Sequence, residues 1–410
     1  MRSLLRASRP KPGVFHMRYS EALSLNDSHV ASLLELEQSL YARAADVDAL
    51  GLDLDVEMAM LRSAGLLSAC VPREYGGQGL GCEHDAHSVL TAFATLRMLG
   101  RATLSVARLY EGHMNAVKLV ALYGSQAQKA QWLPLVLAGQ LWGVWGADGA
   151  TPLSATLMSD DASKTRHYVL HGQKAFASGL GLLDQAIVTF NRGAQGVALA
   201  LVSVSEKRRQ DKSAWRVSGM KATWSGVYDF EGVQIEESAL IGSPGDYVKE
   251  PYFEGGIWRY CAAHHGAAEQ IVRLWRTRLV QKGRAEDPIQ LTRLARARAR
   301  LVAVYSLLRD VSLQVETCRG LQGQNNVNED DQRAAVEMAL LGREMTEEMA
   351  VALMNDARKA LGVEAHLPQS DMERICRDLS IYLRQAGPDG KLLNAGRLYL
   401  AQAEDRTRLW

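Results

Sequence analysis

The sequence predicts an α+β chain in three consecutive parts: helical, then strand-rich, then helical again. Two observations predict this. Apolar residues recur at three- and four-residue spacing over 27–48, 53–65 and 83–138, and again over 252–282, 289–319, 329–360 and 370–384. That is the period of a helix burying one face. Between the two sets, residues 168–237 alternate with period two and carry turn signals at Asn191-Arg192-Gly193 and Ser218-Gly219, as half-buried strands do.

Taken in order, the chain opens with MRSLLRASRPKPGVFHMRYS, which is basic and has no acid before Glu21. It lacks the apolar core of a secretory signal; its composition is compatible with a transit peptide, and Met17 is an alternative start. Asn26, Asp27 and Ser28 supply an N-cap for the first helix. CVPREYGGQGLG at 70–81 breaks the helical pattern with glycines that mark a tight turn. The third helix of the C-terminal set opens with Glu329, Asp330 and Asp331, acids that suit the positive end of a helix dipole.

Composition excludes several classes. Hydrophobic content of 47% and charged content of 23% are those of an ordinary globular protein. The 47 Lys and Arg against 46 Asp and Glu give a net charge of +1, which argues against a general nucleic-acid-binding surface. The five cysteines are scattered and never form a Cys-x-x-Cys pair, so neither a disulfide framework nor a zinc site is implied, and a cytoplasmic, reducing location is expected. No apolar run approaches the roughly 20 residues that span a bilayer. His264 and His265 are adjacent and do not share a helix face, so no metal site is expected.

Candidate chemistry concentrates between Leu141 and Phe190, with a satellite at Ser218 to Val233. Trp142, Trp145, Phe176 and Ser178 read as a flat aromatic wall with one hydroxyl set into it. A flavin needs such a wall, apolar over its face and donating at its polar edge. The same residues suit a plain β-domain core.

Five segments, in order, resemble the acyl-CoA dehydrogenase superfamily. They are PREYGGQGLG, ALYGSQAQKAQWLPLVLAGQ, YVLHGQKAFASG, GMKATWSGVYDFEGVQI and MERICRDLSIYL. The resemblance covers essentially everything after residue 25. It implies a helical N-terminal domain, a middle β-barrel-like domain and a C-terminal four-helix bundle. The divisions expected are a disordered 1–20, helices over 21–140, a β-domain over 141–245 and a bundle over 246–410. The family places FAD between β-domain and bundle, completed by a neighbouring subunit, so FAD and a homodimer or homotetramer are expected. The amphipathic helices from 289 to 360, with Val302, Val304, Leu307, Leu308, Val311 and Leu313 on more than one face, suit that interface.

Carried over residue by residue, the resemblance puts Phe176 against the flavin and Ser178 at its edge. Trp145, Gly146 and Ala147 stand where the family has Thr-Glu-Pro, so backbone contacts alone are implied there. Gly362 matches one glycine of a cofactor-side pair, and Arg377 and Asp378 match an Arg-Asp pair read as structural. Arg293, Arg296 and Arg300 form one helical stripe, suited either to a pyrophosphate or to solvent.

The departure concerns the base. Dehydrogenation needs a carboxylate to take the α-proton, and one family position for it reads RDLSIYLRQAGPDG while the other is Trp258. Glu254, one turn before Trp258, and Asp389 are the nearest acids and the candidate catalytic residues. The reading is an FAD-dependent oxidoreductase acting on an acyl thioester or related small molecule through a non-standard base. Its electron acceptor is an electron-transfer flavoprotein or oxygen. The alternatives are a flavin-dependent monooxygenase of the same fold, favoured slightly by Phe-Ala-Ser-Gly at 176–179, and a catalytically silent flavin-binding or assembly protein.

Overall fold

Helices α1 (Asp27–Leu50), α2 (Asp55–Ser63), α3 (Leu66–Ala69), α4 (Ala86–Ala102), α5 (Leu104–Tyr123) and α6 (Gln126–Leu137) precede the first strand. They match the helical spacing over 27–48, 53–65 and 83–138. The computed structural model describes residues 27–158, 166–192, 195–317, 329–385 and 387–401. The expected cap at Asn26 to Ser28 and the N-terminal 20 residues lie outside the described residues or their side chains. Where caps are seen they follow the local sequence. Asp85 accepts from Ser88 N at 3.0 Å to start α4, and Ser125 with Gln128 forms a reciprocal capping box at the start of α6.

The strands are β1 (Trp142–Trp145), β2 (Ser154–Leu157), β3 (His167–His171), β4 (Gln173–Ala177), β5 (Gln185–Asn191), β6 (Val197–Ser203), β7 (Gln210–Asp211), β8 (Gly226–Asp229), β9 (Val233–Glu236) and β10 (Leu240–Ile241). One sheet runs β10-β6-β5-β2-β3-β9, with β1 pairing β5 in parallel; the second runs β4-β8-β7. β5 is the middle of the larger sheet, and Ala186 to Phe190, apolar except for Thr189, are buried on both faces, as expected of a central strand. Gln128 of α6 donates to the Ser238 and Leu240 carbonyls at 2.8 and 2.7 Å, tying helices to sheet.

The C-terminal helices are α7 (Trp258–Gln281), α8 (Pro288–Thr317), α9 (Glu329–Leu361) and α10 (Asp371–Tyr382), followed by α11 (Pro388–Ala401). The first four are those read from the periodicity; α11 extends the expected bundle. The N-terminal helices are fused to this bundle where α4 crosses α7. A Cβ on Gly100 would lie 2.1 Å from the Ala263 carbonyl, and one on Gly266 would lie 2.0 Å from that of Arg97. Only hydrogen fits at either position. Among the described residues no helix is long and apolar enough to cross a membrane.

Candidate functional site

The wall is made by an irregularity. β4 pairs with β8 at Lys174 and again at Ala177, with a register shift between them, and such a bulge re-aims the side chain inside it. That side chain is Phe176, held at φ 50° and 65% exposed. Trp215 stands edge-on to its ring, 6.3 Å between centroids. A large aromatic ring held outward by a left-handed backbone is costly unless something covers it.

Behind Phe176 lies a line of hydroxyls. Thr223 and Ser225 hydroxyls are 2.8 Å apart, and Ser225 donates to Ser178 Oγ at 2.8 Å. Ser178 therefore accepts from behind, and among the described residues its own hydrogen has only a 3.5 Å contact with the Phe176 carbonyl. That hydrogen is available to an acceptor on the wall. The turn carrying Thr223 has two more left-handed residues, Met220 at φ 55° and Trp224 at φ 43°. It is clamped from α10: Asp378 Oδ1 accepts from Met220 N at 2.6 Å, Arg377 donates to the Ser218 carbonyl, and Arg377 pairs with Asp48 at 2.6 Å. Burial pushes the Asp378 carboxyl up to about 6. The Arg-Asp pair thus acts on the wall by positioning its second loop.

The exit from β1 is fixed as firmly. Lys174 is fully buried, and its Nζ donates to the Gly146 carbonyl at 3.1 Å, Asp148 at 2.7 Å and Thr189 at 2.9 Å. Burial lowers its pKa, with Asp148 opposing. Ala175 N donates to the Ala147 carbonyl at 3.1 Å. The outward side of Gly146 and Ala147 stays exposed. Trp145 Nε1 donates to the Ser178 carbonyl at 3.0 Å.

Beneath this exit is a cavity of about 250 Å³. Val144 of β1 lines it, as does Tyr247, whose hydroxyl lies 3.4 Å from where a Gly146 Cβ would be. Glu111, Asn115, Lys118 and Leu122 of α5 form one side; Arg259 and Tyr260 of α7, with Gln385 and Lys391, form another. Each charged side chain has a partner, though two cations share one carboxylate. Arg108 donates to Glu111 at 2.7 Å and Asn115 to its other oxygen. Lys391 donates to Glu254 at 2.8 Å. Glu316 of α8 accepts from Lys118, from Arg259 at 2.6 Å and from Trp258 Nε1 at 3.0 Å. Burial pushes the Glu316 carboxyl up, yet the two cations hold it below its ordinary range. Burial brings Lys118 down to about 8.

The structure joins Trp145, Gly146, Ala147, Phe176 and Ser178 in one region. Trp142 and Trp145 are core residues supporting it rather than faces of the wall. Gly362 lies at the C-terminal end of α9, exposed, with nothing within 4 Å of a Cβ there. Glu254 is occupied by Lys391 and Asn394, and Asp389 is exposed in the first turn of α11. Arg300, on the arginine stripe, pairs with Asp356 at 2.9 Å. The sequence reading missed Glu111, Asn115 and Lys118. Their signal was present: Glu111, Asn115 and Lys118 stand at i, i+4 and i+7, on one side of the helix ARLYEGHMNAVKLV.

The fold and these segments define a class. Residues 28–140, just over a quarter of the chain, match the family "Acyl-CoA dehydrogenase, N-terminal domain", in line with the resemblance read from the sequence. The dibenzothiophene monooxygenase of Rhodococcus qingshengii is 29% identical over 239 residues, 57% of this chain and 55% of that protein. The chain thus spans about half the length of the first curated relatives it matches. The 3-sulfinopropanoyl-CoA desulfinase of Variovorax paradoxus is 23% identical over 80% of this chain and 82% of its own. FMN-bound TdsC from Paenibacillus sp. A11-2 superposes with a TM-score of 0.77 at 21% identity, covering 91% of this chain and 97% of TdsC. These findings correct the expectation of FAD. TdsC was solved with FMN, and a relative from Pseudomonas putida, 27% identical over 52% of this chain and 51% of its own length, is described as "Probable FMNH2-dependent monooxygenase SfnC".

Proposed function

We propose that this chain is a flavin-dependent monooxygenase that uses reduced FMN and dioxygen on a small molecule seated in the cavity. One observation carries the reading. Trp258, at one family position for the base, is fully buried with its Nε1 committed to Glu316, and the other position reads Arg384-Gln385-Ala386. Glu111, the carboxylate in the cavity wall, is held by Arg108 and Asn115. Oxygen chemistry does not need that proton acceptor. The relatives named as monooxygenases support the same reading.

The wall fits FMN. Phe176 would pack against the flavin ring, Ser178 would donate to its polar edge, and the exposed backbone at Gly146 and Ala147 would meet its other side. When bound in reduced form, FMN supplies two electrons, so that one atom of dioxygen enters the substrate and the other leaves as water. Lys174, Trp145 and the Asp378 clamp keep these groups in register.

The test mixes the purified protein with reduced FMN and ¹⁸O₂ and follows oxygen uptake and label in candidate substrates, beside an anaerobic titration with acyl-CoA. Label in product is expected, with no bleaching by acyl-CoA. Anaerobic flavin reduction by acyl-CoA would overturn the reading in favour of a dehydrogenase. We further propose a homodimer or homotetramer built on α8 and α9, whose Val302, Met345 and Val351 are exposed. A monomer by light scattering at micromolar concentration overturns this.

A further inference from the structure

We propose that the cavity binds a small organic oxyanion, a sulfinate or carboxylate, with its charged head on Arg259 and Lys118. What is then done to the compound rests on the monooxygenase reading; the binding does not. The inference comes from how charge is layered around the cavity. Three cations, Lys118, Arg259 and Lys391, line it against one carboxylate, Glu111. Glu316 and Glu254, the acids that pair those cations, are not among the lining residues. The positive residues line the cavity and their counter-charges do not.

The charges are also unequal in number where they are most buried. Lys118 and Arg259 share the single carboxylate of Glu316. All three are essentially inaccessible, at 3%, 2% and 0% exposure. One elementary positive charge is left where little water can screen it, and such charges are strongly stabilised by an anion. Arg259 also has donor capacity in reserve. Its Nη2 goes to Glu316, its Nη1 has a long 3.4 Å contact with the Gly256 carbonyl, and its Nε has no partner. Lys118 donates to Glu316 and lies 4.4 Å from the centre of the Tyr252 ring.

A neutral apolar guest would leave that charge uncompensated in a still drier cavity, which is costly. An oxyanion would complete the pairing, and Tyr247 and Tyr260 on the same cavity would pack against its organic part. A planar guanidinium suits two-oxygen heads such as sulfinate and carboxylate.

The test is equilibrium binding by calorimetry at pH 7, with benzenesulfinate, benzoate and the neutral methyl phenyl sulfoxide as probes, on the protein with and without FMN. Both anions are expected to bind at least tenfold more tightly than the sulfoxide. Arg259→Gln, which leaves Lys118 and Glu316 paired one to one, should lose tenfold or more of the anion affinity and leave the sulfoxide unchanged. Lys118→Gln should act in the same direction and serves if the first variant does not fold. Equal affinity for anion and sulfoxide, or folded variants that keep wild-type anion affinity, would overturn the proposal. No turnover enters this measurement. Anion binding without ¹⁸O incorporation therefore refutes the monooxygenase reading and leaves the site standing, whereas incorporation into neutral compounds alone does the reverse.

Discussion

The wall and the cavity meet at β1, yet they are built by opposite means. The wall rests on backbone: a bulge in β4 and three non-glycine residues at positive φ, Phe176, Met220 and Trp224. The polar groups at its face are neutral hydroxyls and exposed main chain. The cavity rests on regular helices, and its polar side chains are kept in place by buried ion pairs. Removing a group from the wall should therefore change what binds there more than whether the chain folds. Removing the carboxylate that two cavity cations share leaves both charged and dry, so folding itself should suffer.

The largest expected effect breaks the cavity. Glu316→Gln leaves Lys118 and Arg259 facing each other without their shared carboxylate, and loss of one partner of a buried pair typically costs about 3–5 kcal/mol. Urea unfolding should show that loss as a lower midpoint at unchanged slope. A change under about 1 kcal/mol would mean that water already reaches the pair.

The clamp between the regions gives a pH signature. Burial raises the Asp378 carboxyl from 3.8 to about 6. A carboxyl raised on folding contributes stability that is fully present below its unfolded value and lost as pH rises through its folded value. Wild type should accordingly lose a component on the order of 1–3 kcal/mol between pH 4 and pH 7. Asp378→Asn keeps an oxygen for Met220 N and lacks the titration, so its stability should exceed wild type at pH 7.5 and lack that slope. Asp378→Ala, which leaves Met220 N unpaired, should be less stable than Asn at every pH. Equal slopes for wild type and Asn would remove the carboxylate from the account.

The wall is probed by Phe176→Ala. Its ring is 65% exposed, so the large packing loss expected of a buried ring does not apply. Stability should stay within about 0.5 kcal/mol, while FMN affinity, read by flavin fluorescence, falls by about three- to tenfold, the worth of an aromatic contact. A stability loss with unchanged flavin affinity would move the flavin elsewhere. The smallest effect belongs to Ser225→Ala, which removes the hydroxyl that donates to Ser178 at 2.8 Å. About 0.5–1.5 kcal/mol is expected, and Ser178→Ala should alter FMN binding further, because in the proposed site that hydroxyl would donate to the flavin. If Ser225→Ala weakens flavin binding more than Ser178→Ala, the order of the hydroxyl line is wrong.

Much was legible before the fold was known, and all of it was local. Helical period placed the helices within a few positions, and alternation located the strands from 168 to 237. Five ordered segments named the superfamily, and the absence of a carboxylate at 258 and 384–386 is a fact of sequence. The expectation of FAD came only from the family, and FMN-bound relatives overturned it. Tertiary structure decided which aromatics face outward. Alternation assigns faces only while a strand is regular, and the bulge between Lys174 and Ala177 turns Phe176 out while Trp145 stays in. It also decided the cavity. The stripe of Glu111, Asn115 and Lys118 is written in one helix, but the carboxylate that gives Lys118 its meaning lies 198 residues away. No local pattern encodes that distance; packing α5, α7 and α8 together does.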